Sequence, residues 1–122
     1  TNKQGIDVVF DPVGGAYSEP ALRAMAWKGR YLVIGFTSSI PSIPLNLALL
    51  KGCQIVGVFW GNFCVKEPLV NTANFKDLFD MFEEGKIKPF VVKTYPLEKT
   101  GYAIQLLAKR EAIGKIAIKI RD

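Results

Sequence analysis

Three apolar, largely β-branched runs set the limits on what this chain can become. They are Ile6-Asp7-Val8-Val9-Phe10, Tyr31-Leu32-Val33-Ile34-Gly35-Phe36 and Cys53-Gln54-Ile55-Val56-Gly57-Val58-Phe59-Trp60. The second and third are nearly continuous in apolar character rather than alternating, which is the pattern of strands buried on both faces. The first stops at Asp11-Pro12-Val13-Gly14-Gly15, a strong breaker cluster. The other two close in glycine and aromatic residues instead of an ordinary polar turn.

Helical stretches separate these runs. Ser18-Glu19-Pro20 offers a capping hydroxyl, an early acid and an early proline, and predicts a helix over 20–27 closed by Lys28-Gly29. A strand is then expected over 30–36, a Ser/Pro-rich loop over 37–44 and a short helix over 45–50 ended by Lys51-Gly52. A strand over 53–60 and a loop over 61–68 follow. Phe75, Leu78, Phe79 and Phe82 fall at i, i+3, i+4 and i+7, one stripe of a helix that Asn71 or Thr72 can cap and Gly85 can stop. The chain closes with an expected strand over 90–95, a helix over 97–110 and a strand over 115–120. In that last strand Ile116, Ile118 and Ile120 alternate with Ala117 and Lys119, giving one wet face. Strands alternating with helices define an α/β fold with a parallel sheet, followed by a β-α-β segment of different style.

Composition narrows the chemistry. A chain of 122 residues, about half of them apolar, makes one domain the default. No apolar run approaches the ~20 residues of a membrane span. The start, Thr1-Asn2-Lys3-Gln4-Gly5, has neither an initiator Met nor a signal pattern, and reads as a chain entered in the middle of something larger. There is no histidine, so this chain alone offers neither a Ser-His triad nor a His-ligated zinc. Cys53 and Cys64 do not match a zinc-ribbon or CxxC spacing, and they fit a reducing, cytoplasmic compartment better than a disulfide. Residues 1–85 carry seven Lys and Arg against eight Asp and Glu, whereas residues 86–122 carry nine against three. Those lysines are scattered and no RNP-like aromatic motif accompanies them, which favours a solvated basic face over a nucleic-acid surface.

In an open parallel sheet, ligands bind beyond the carboxyl ends of the strands. Three such ends are visible: Pro12-Val13-Gly14-Gly15, Gly35-Phe36-Thr37 and Val58-Phe59-Trp60-Gly61. Glycine there lets a ligand approach the backbone, and the aromatics could sandwich a flat ring. The plainer reading keeps Phe36, Phe59 and Trp60 as strand-end core. Gly14-Gly15 satisfies neither G-x-G-x-x-G nor the P-loop, so the main pyrophosphate loop of any bound dinucleotide lies outside this chain. Asp7 and Asp11 read as solvated strand ends. Lys115 is either a surface lysine or a point charge for a phosphate.

The blocks DVVFDPVGG, GRYLVIGF, PLNLALLKGCQIVGVFWG, FEEGKIKP and REAIGKIAIKI together resemble the second half of a medium-chain dehydrogenase/reductase, nearest to its zinc-independent NADPH:quinone oxidoreductase branch. The resemblance implies an α/β fold: the second half of a Rossmann-type parallel sheet over 1–88, three strands with helices, then a β-α-β return toward the GroES-like catalytic domain over 89–122. It implies NADPH as cofactor, with NADH the other candidate. Pro12 and Val13 would line its adenosine-ribose side, and Ile34, Gly35 and Phe36 would lie along the nicotinamide. The backbone of Val58 and Trp60 would sit by the carboxamide with Phe59 between them, and Lys115 would approach the phosphates. Hydride would pass directly to a quinone or enone without zinc. This chain alone, lacking the glycine motif and the GroES-like domain, is not expected to catalyse. The family also implies a homodimer paired through strand 53–60, and a non-catalytic dimerisation module is the alternative reading.

Overall fold

The computed structural model describes residues 4–121. The chain forms two compact units, Thr1–Pro68 and Leu69–Asp122. Helix 68–83 falls with the second unit from Leu69 onward.

In the first unit the chain runs β1 (Ile6–Asp11), a 3-10 turn (Gly15–Tyr17), α1 (Ser18–Arg23), β2 (Met25–Val33), α2 (Asn46–Lys51), β3 (Gln54–Gly57) and α3 (Trp60–Lys66). The strands form a parallel sheet in the order β1-β2-β3, the α/β arrangement expected of strands joined by helical crossovers. Leu22, Met25, Tyr31 and Leu47 make the core, with Val9, Val33 and Ile43 packed against it. Leu22 comes from α1, Leu47 from α2, and Tyr31 from the central strand. The helices therefore cover the sheet face to which Val9, Tyr31 and Val33 contribute.

Several boundaries differ from the sequence reading. The helix expected to reach residue 27 ends at Arg23, and the chain is already extended at Met25. Met25 and Ala26 are buried against the sheet, and that packing overrides the helix propensity of the segment. Lys28 adopts φ 62, and the β1–β2 register jumps between Ile6 and Val8. The extra residues form a bulge. Gly29 sits tightly there: a Cβ would come within 3.0 Å of the Ile6 carbonyl oxygen and 3.1 Å of the Ala26 carbonyl oxygen. Strand β2 stops at Val33 rather than Phe36, and β3 stops at Gly57 rather than Trp60. Trp60 instead opens α3, where the weak helix formers Gly61 and Asn62 had suggested a loop.

The burial on both faces expected of the second and third strands is not realised among the described residues: Leu32 and Val33 are half-buried and Ile55 and Val56 are exposed, and β1 shows an uncovered face as well. Side chains alternate across a strand, so Ile6, Val8 and Phe10 share the face opposite Val9. All three are exposed, Phe10 by 65%. The helices α1 and α2 cover one face of the sheet only. The apolar character of the other face is real, but no element of this unit covers it.

The second unit runs α4 (Pro68–Glu83), β4 (Val91–Pro96), a 3-10 turn (Leu97–Lys99), α5 (Thr100–Ala108) and β5 (Lys115–Lys119), with β4 and β5 parallel. The helix α4 begins at Pro68, a residue pre-set for a first turn, rather than at Asn71 or Thr72. Its stop follows the reading: Gly85 takes φ 71 and donates its N–H to the Phe82 carbonyl. Phe75, Leu78, Phe79 and Phe82 form the anticipated stripe and line an apolar depression with Ile87 and Pro89. The expected alternation in the last strand is not realised: Ile116, Ala117 and Ile118 are all half-buried, and Ile120 is exposed beyond the strand end. In a two-stranded sheet neither face is fully wet or dry. Tyr95 and Ala103 are buried, and Tyr95 meets Tyr102 edge-on at 5.6 Å.

Leu22 is 0% exposed at the centre of the first unit. Leu22→Ala should therefore cost about 2–5 kcal/mol. A fall in the urea midpoint checks this, and an unchanged midpoint would show that the core cluster does not hold the sheet.

Candidate functional site at the strand ends

The register brings the strand ends level. Asp11 lies opposite Val33, and Val33 opposite Gly57. The next residues, Pro12, Ile34 and Val58, therefore leave the sheet side by side at its carboxyl edge. Backbone bonds stitch the departing segments together. The Ile34 N–H reaches the Asp11 carbonyl at 3.0 Å, and the Val58 N–H reaches the Val33 carbonyl at 2.9 Å. The Ser38 N–H reaches the Val13 carbonyl at 3.0 Å, and the Gly15 N–H reaches the Ser39 carbonyl at 2.8 Å.

At this edge an open, mainly apolar depression of about 380 Å³ is lined by Val33, Ile34, Gly35, Phe36, Gly57, Val58 and Phe59. Five sequence candidates thus come together: Ile34, Gly35, Phe36, Val58 and Phe59. Pro12 borders them, accepting a bond from the Thr37 hydroxyl at 3.3 Å, and Val13 follows in the same turn. Trp60 is not among the lining residues and stands as the exposed first residue of α3. Lys115 belongs to the second unit, where its N–H bonds the Phe90 carbonyl at 3.0 Å. Val33 and Gly57 escaped the sequence reading, since only the strand register reveals that they end level with Asp11.

The glycines around the edge are of two kinds. Gly14 takes φ 72, and a Cβ there would meet the Ser39 carbonyl at 2.7 Å and the Phe36 ring at 2.8 Å. The fold itself demands that glycine. Gly35 and Gly57 have φ outside the left-handed region. A Cβ on Gly57 would meet nothing within 4 Å, and one on Gly35 only the Pro12 carbonyl at 3.8 Å. Neither conformation nor packing within this chain requires glycine at these two positions, and both open onto the depression. They make a cradle that side chains would fill.

Asp11 is more than a solvated strand end. Its Oδ1 accepts from the Val13 N–H at 2.9 Å and the Gly14 N–H at 2.8 Å. Its Oδ2 accepts from the Ser18 hydroxyl at 3.0 Å and from the Tyr31 hydroxyl. Desolvation, the largest single influence, pushes the carboxyl up, but the bonds from Gly14, Tyr31, Val13 and Ser18 together outweigh it and hold it at about 2. Burial pushes the Tyr31 hydroxyl the other way, upward, and the bond to Asp11 adds to that rise.

Comparison with known proteins gives this geometry its family. The model of the zinc-binding dehydrogenase family matches residues 1–118. The chain belongs to that family, within the medium-chain dehydrogenase/reductase superfamily. Inside it the likeness runs to the quinone oxidoreductase branch: the chain is 32% identical over 124 residues to a quinone oxidoreductase-like protein 2 homolog of Nematostella vectensis, covering all of this chain and 34% of that protein. The same protein of Bos taurus is 32% identical over 118 residues, again with 34% of it covered. The chain thus spans about a third of the length of the curated relatives it matches. Among solved structures, mycobacterial Rv1454c complexed with NADPH shares the fold with a TM-score of 0.83 at 21% identity, over 98% of this chain and 37% of that one.

The family description raises the question of zinc, and these residues do not fit one. The sequence has no histidine, and among the described residues no group of three or more Cys, Asp or Glu stands close enough to hold a metal ion. Cys53 and Cys64 do not form a disulfide with each other.

The Asp11 network has a pH signature. Its folded carboxyl, at about 2, lies below the ordinary 3.8, so the stabilisation is complete above pH 4–5 and is lost as pH falls through 3.8 toward 2. Asp11→Asn should lower stability by about 1–2 kcal/mol at pH 7. The gap from the unsubstituted protein should close as denaturation is followed down to pH 2. A gap independent of pH would contradict the network.

Proposed function

We propose that this chain supplies the nicotinamide-side wall of the cofactor cleft in an NADPH-dependent quinone or enone reductase. The observation that carries the reading is the pair Gly35 and Gly57, two glycines with vacant Cβ directions on an apolar depression at level strand ends. A planar ring can lie against backbone only where no side chain intervenes. In this reading Ile34, Gly35 and Phe36 run along the nicotinamide, and Pro12 and Val13 line the adenosine-ribose side. The backbone of Val58 and Trp60 flanks the carboxamide around Phe59, and Lys115 approaches the phosphates. When bound, the cofactor supplies a hydride to a quinone or an activated double bond. The chain's own part is to seat the ring, exclude water from it with apolar side chains, and present one of its faces.

The relatives support this choice by name, since they are quinone oxidoreductase-like proteins. NADPH is the first choice of cofactor, because a fold neighbour was solved with it. NADH is the comparison arm, because an NAD-dependent alcohol dehydrogenase is 26% identical with a TM-score of 0.81 over 99% of this chain and 33% of that one. We assign residues 1–88 to the nucleotide-binding domain and 89–122 to the return toward the catalytic domain. Two cysteines without a mutual disulfide suit the cytoplasm. Among the described residues no helix is long and apolar enough to cross a membrane.

A second reading, compatible with the first, concerns assembly. Among the described strands β3 pairs on one side only, with β2, and its Ile55 and Val56 are partly exposed. An apolar edge must be covered or paired. We infer a homodimer in which β3 meets its mate, with a dimerisation module lacking catalysis as the alternative.

The assay is NADPH oxidation with a quinone or enone, on the full-length protein that contains this chain. Gly57→Val fills the cradle and should weaken NADPH binding at least about tenfold; a Cβ at this position meets nothing within 4 Å, and an unchanged urea midpoint checks that the fold is kept. Oxidation with no quinone or enone at all would refute the reductase, and unchanged NADPH affinity in Gly57→Val would refute the placement of the ring. Sedimentation at several concentrations tests the dimer, and a strict monomer would count against edge pairing.

A further inference from the structure

The lining residues do not explain how the edge of the cleft is held in place. Backbone bonds tie the turn after β1 to segment 34–39, but they need the turn itself to be fixed. Asp11 fixes it. Its two oxygens together accept from the N–H groups of Val13 and Gly14, from the Ser18 hydroxyl and from the Tyr31 hydroxyl. Tyr31 is 3% exposed in the central strand and Ser18 is 2% exposed at the head of α1. The carboxylate therefore joins the end of one strand, the turn, the following helix and the neighbouring strand. A carboxylate is the one short side chain that accepts all four bonds without donating. Charge-assisted bonds of this kind are shorter and roughly twice as strong as neutral ones.

The consequence travels one step further. The Pro12 carbonyl accepts from the Thr37 N–H at 3.5 Å, and the Val13 carbonyl from the Ser38 N–H at 3.0 Å. The turn fixed by Asp11 thus anchors the segment directly after Ile34-Gly35-Phe36. Neither Gly35 nor Gly57 is held by side-chain packing of its own.

We propose that Asp11 and Tyr31 are positioning residues for nucleotide binding: they touch no ligand, but their bond sets where the Pro12-Val13 turn and the 34–38 segment stand. This rests on the nucleotide reading above. Tyr31 is then kept as tyrosine for its hydroxyl and not only for its ring, although its ring lies in the core.

The test uses the full-length protein containing this chain, with NADPH as the probe, and compares Tyr31→Phe, Asp11→Asn and Asp11→Ala. Tyr31→Phe removes one hydroxyl and keeps the ring in the core. Its Kd for NADPH should rise about five- to twentyfold, and KM for NADPH should rise more than kcat falls. Asp11→Ala should lose more affinity than Asp11→Asn, which retains an acceptor for the Val13 and Gly14 N–H groups. A purely structural role would instead lower the fraction of active protein, reducing kcat with KM unmoved, and that pattern overturns the proposal. So does a folded Tyr31→Phe protein that binds NADPH within twofold of the unsubstituted one. If Asp11→Ala does not fold, Tyr31→Phe decides alone. Failure of the unsubstituted protein to bind either NADPH or NADH overturns the nucleotide reading and this role with it, whereas normal binding with indifferent variants overturns this role only.

Discussion

Four hydrogen bonds converge on the Asp11 carboxylate, and much of the first unit's order at the strand ends follows from them. The turn after β1 changes direction through Gly14 and Gly15, both at positive φ, and glycines lose more conformational freedom on folding than other residues. The carboxylate supplies the missing constraint by satisfying the N–H groups of that turn. It also reaches Ser18 and Tyr31, so the turn is fixed relative to the core and not merely folded on itself. The loop after β2 then docks on the turn through Pro12 and Val13, and Phe36 packs its ring over Gly14. The shape of the cleft edge is a consequence of where one anion sits.

The fold class was legible in the sequence because its signal is repeated. Apolar runs bounded by glycine and alternating with helical stretches admit few arrangements besides a parallel sheet. Boundaries were less legible wherever packing opposed propensity. Met25 and Ala26 continue a helical pattern, yet the core draws them into a strand. Trp60 ends an apolar run, yet it starts a helix through two residues that form helices poorly. The candidate site divides along the same line. Gly35, Phe36, Val58 and Phe59 were visible because they sit at the ends of runs. Gly57 became visible only once the register set it level with Asp11 and Val33. The role of Asp11 was hidden for a different reason: its partner Tyr31 lies twenty positions away, and no local pattern links them.

The uncovered apolar surface is consistent with the functional reading. Phe10 and its neighbours on β1 have the character of buried strand residues but no cover from α1 or α2. The edge of β3 and the stripe on α4 show the same mismatch between sequence and exposure. The depression at the strand ends is open as well, and it is formed by backbone and apolar side chains.

The central claim, that the level strand ends form the nicotinamide-side wall, is tested most directly by amide hydrogen exchange on the full-length protein with and without saturating NADPH. The account predicts slowed exchange in segments 12–15, 34–38 and 57–61, with the covered face of the sheet around Val9 and Tyr31 unchanged. Bound NADPH that leaves those three segments unaltered would contradict it.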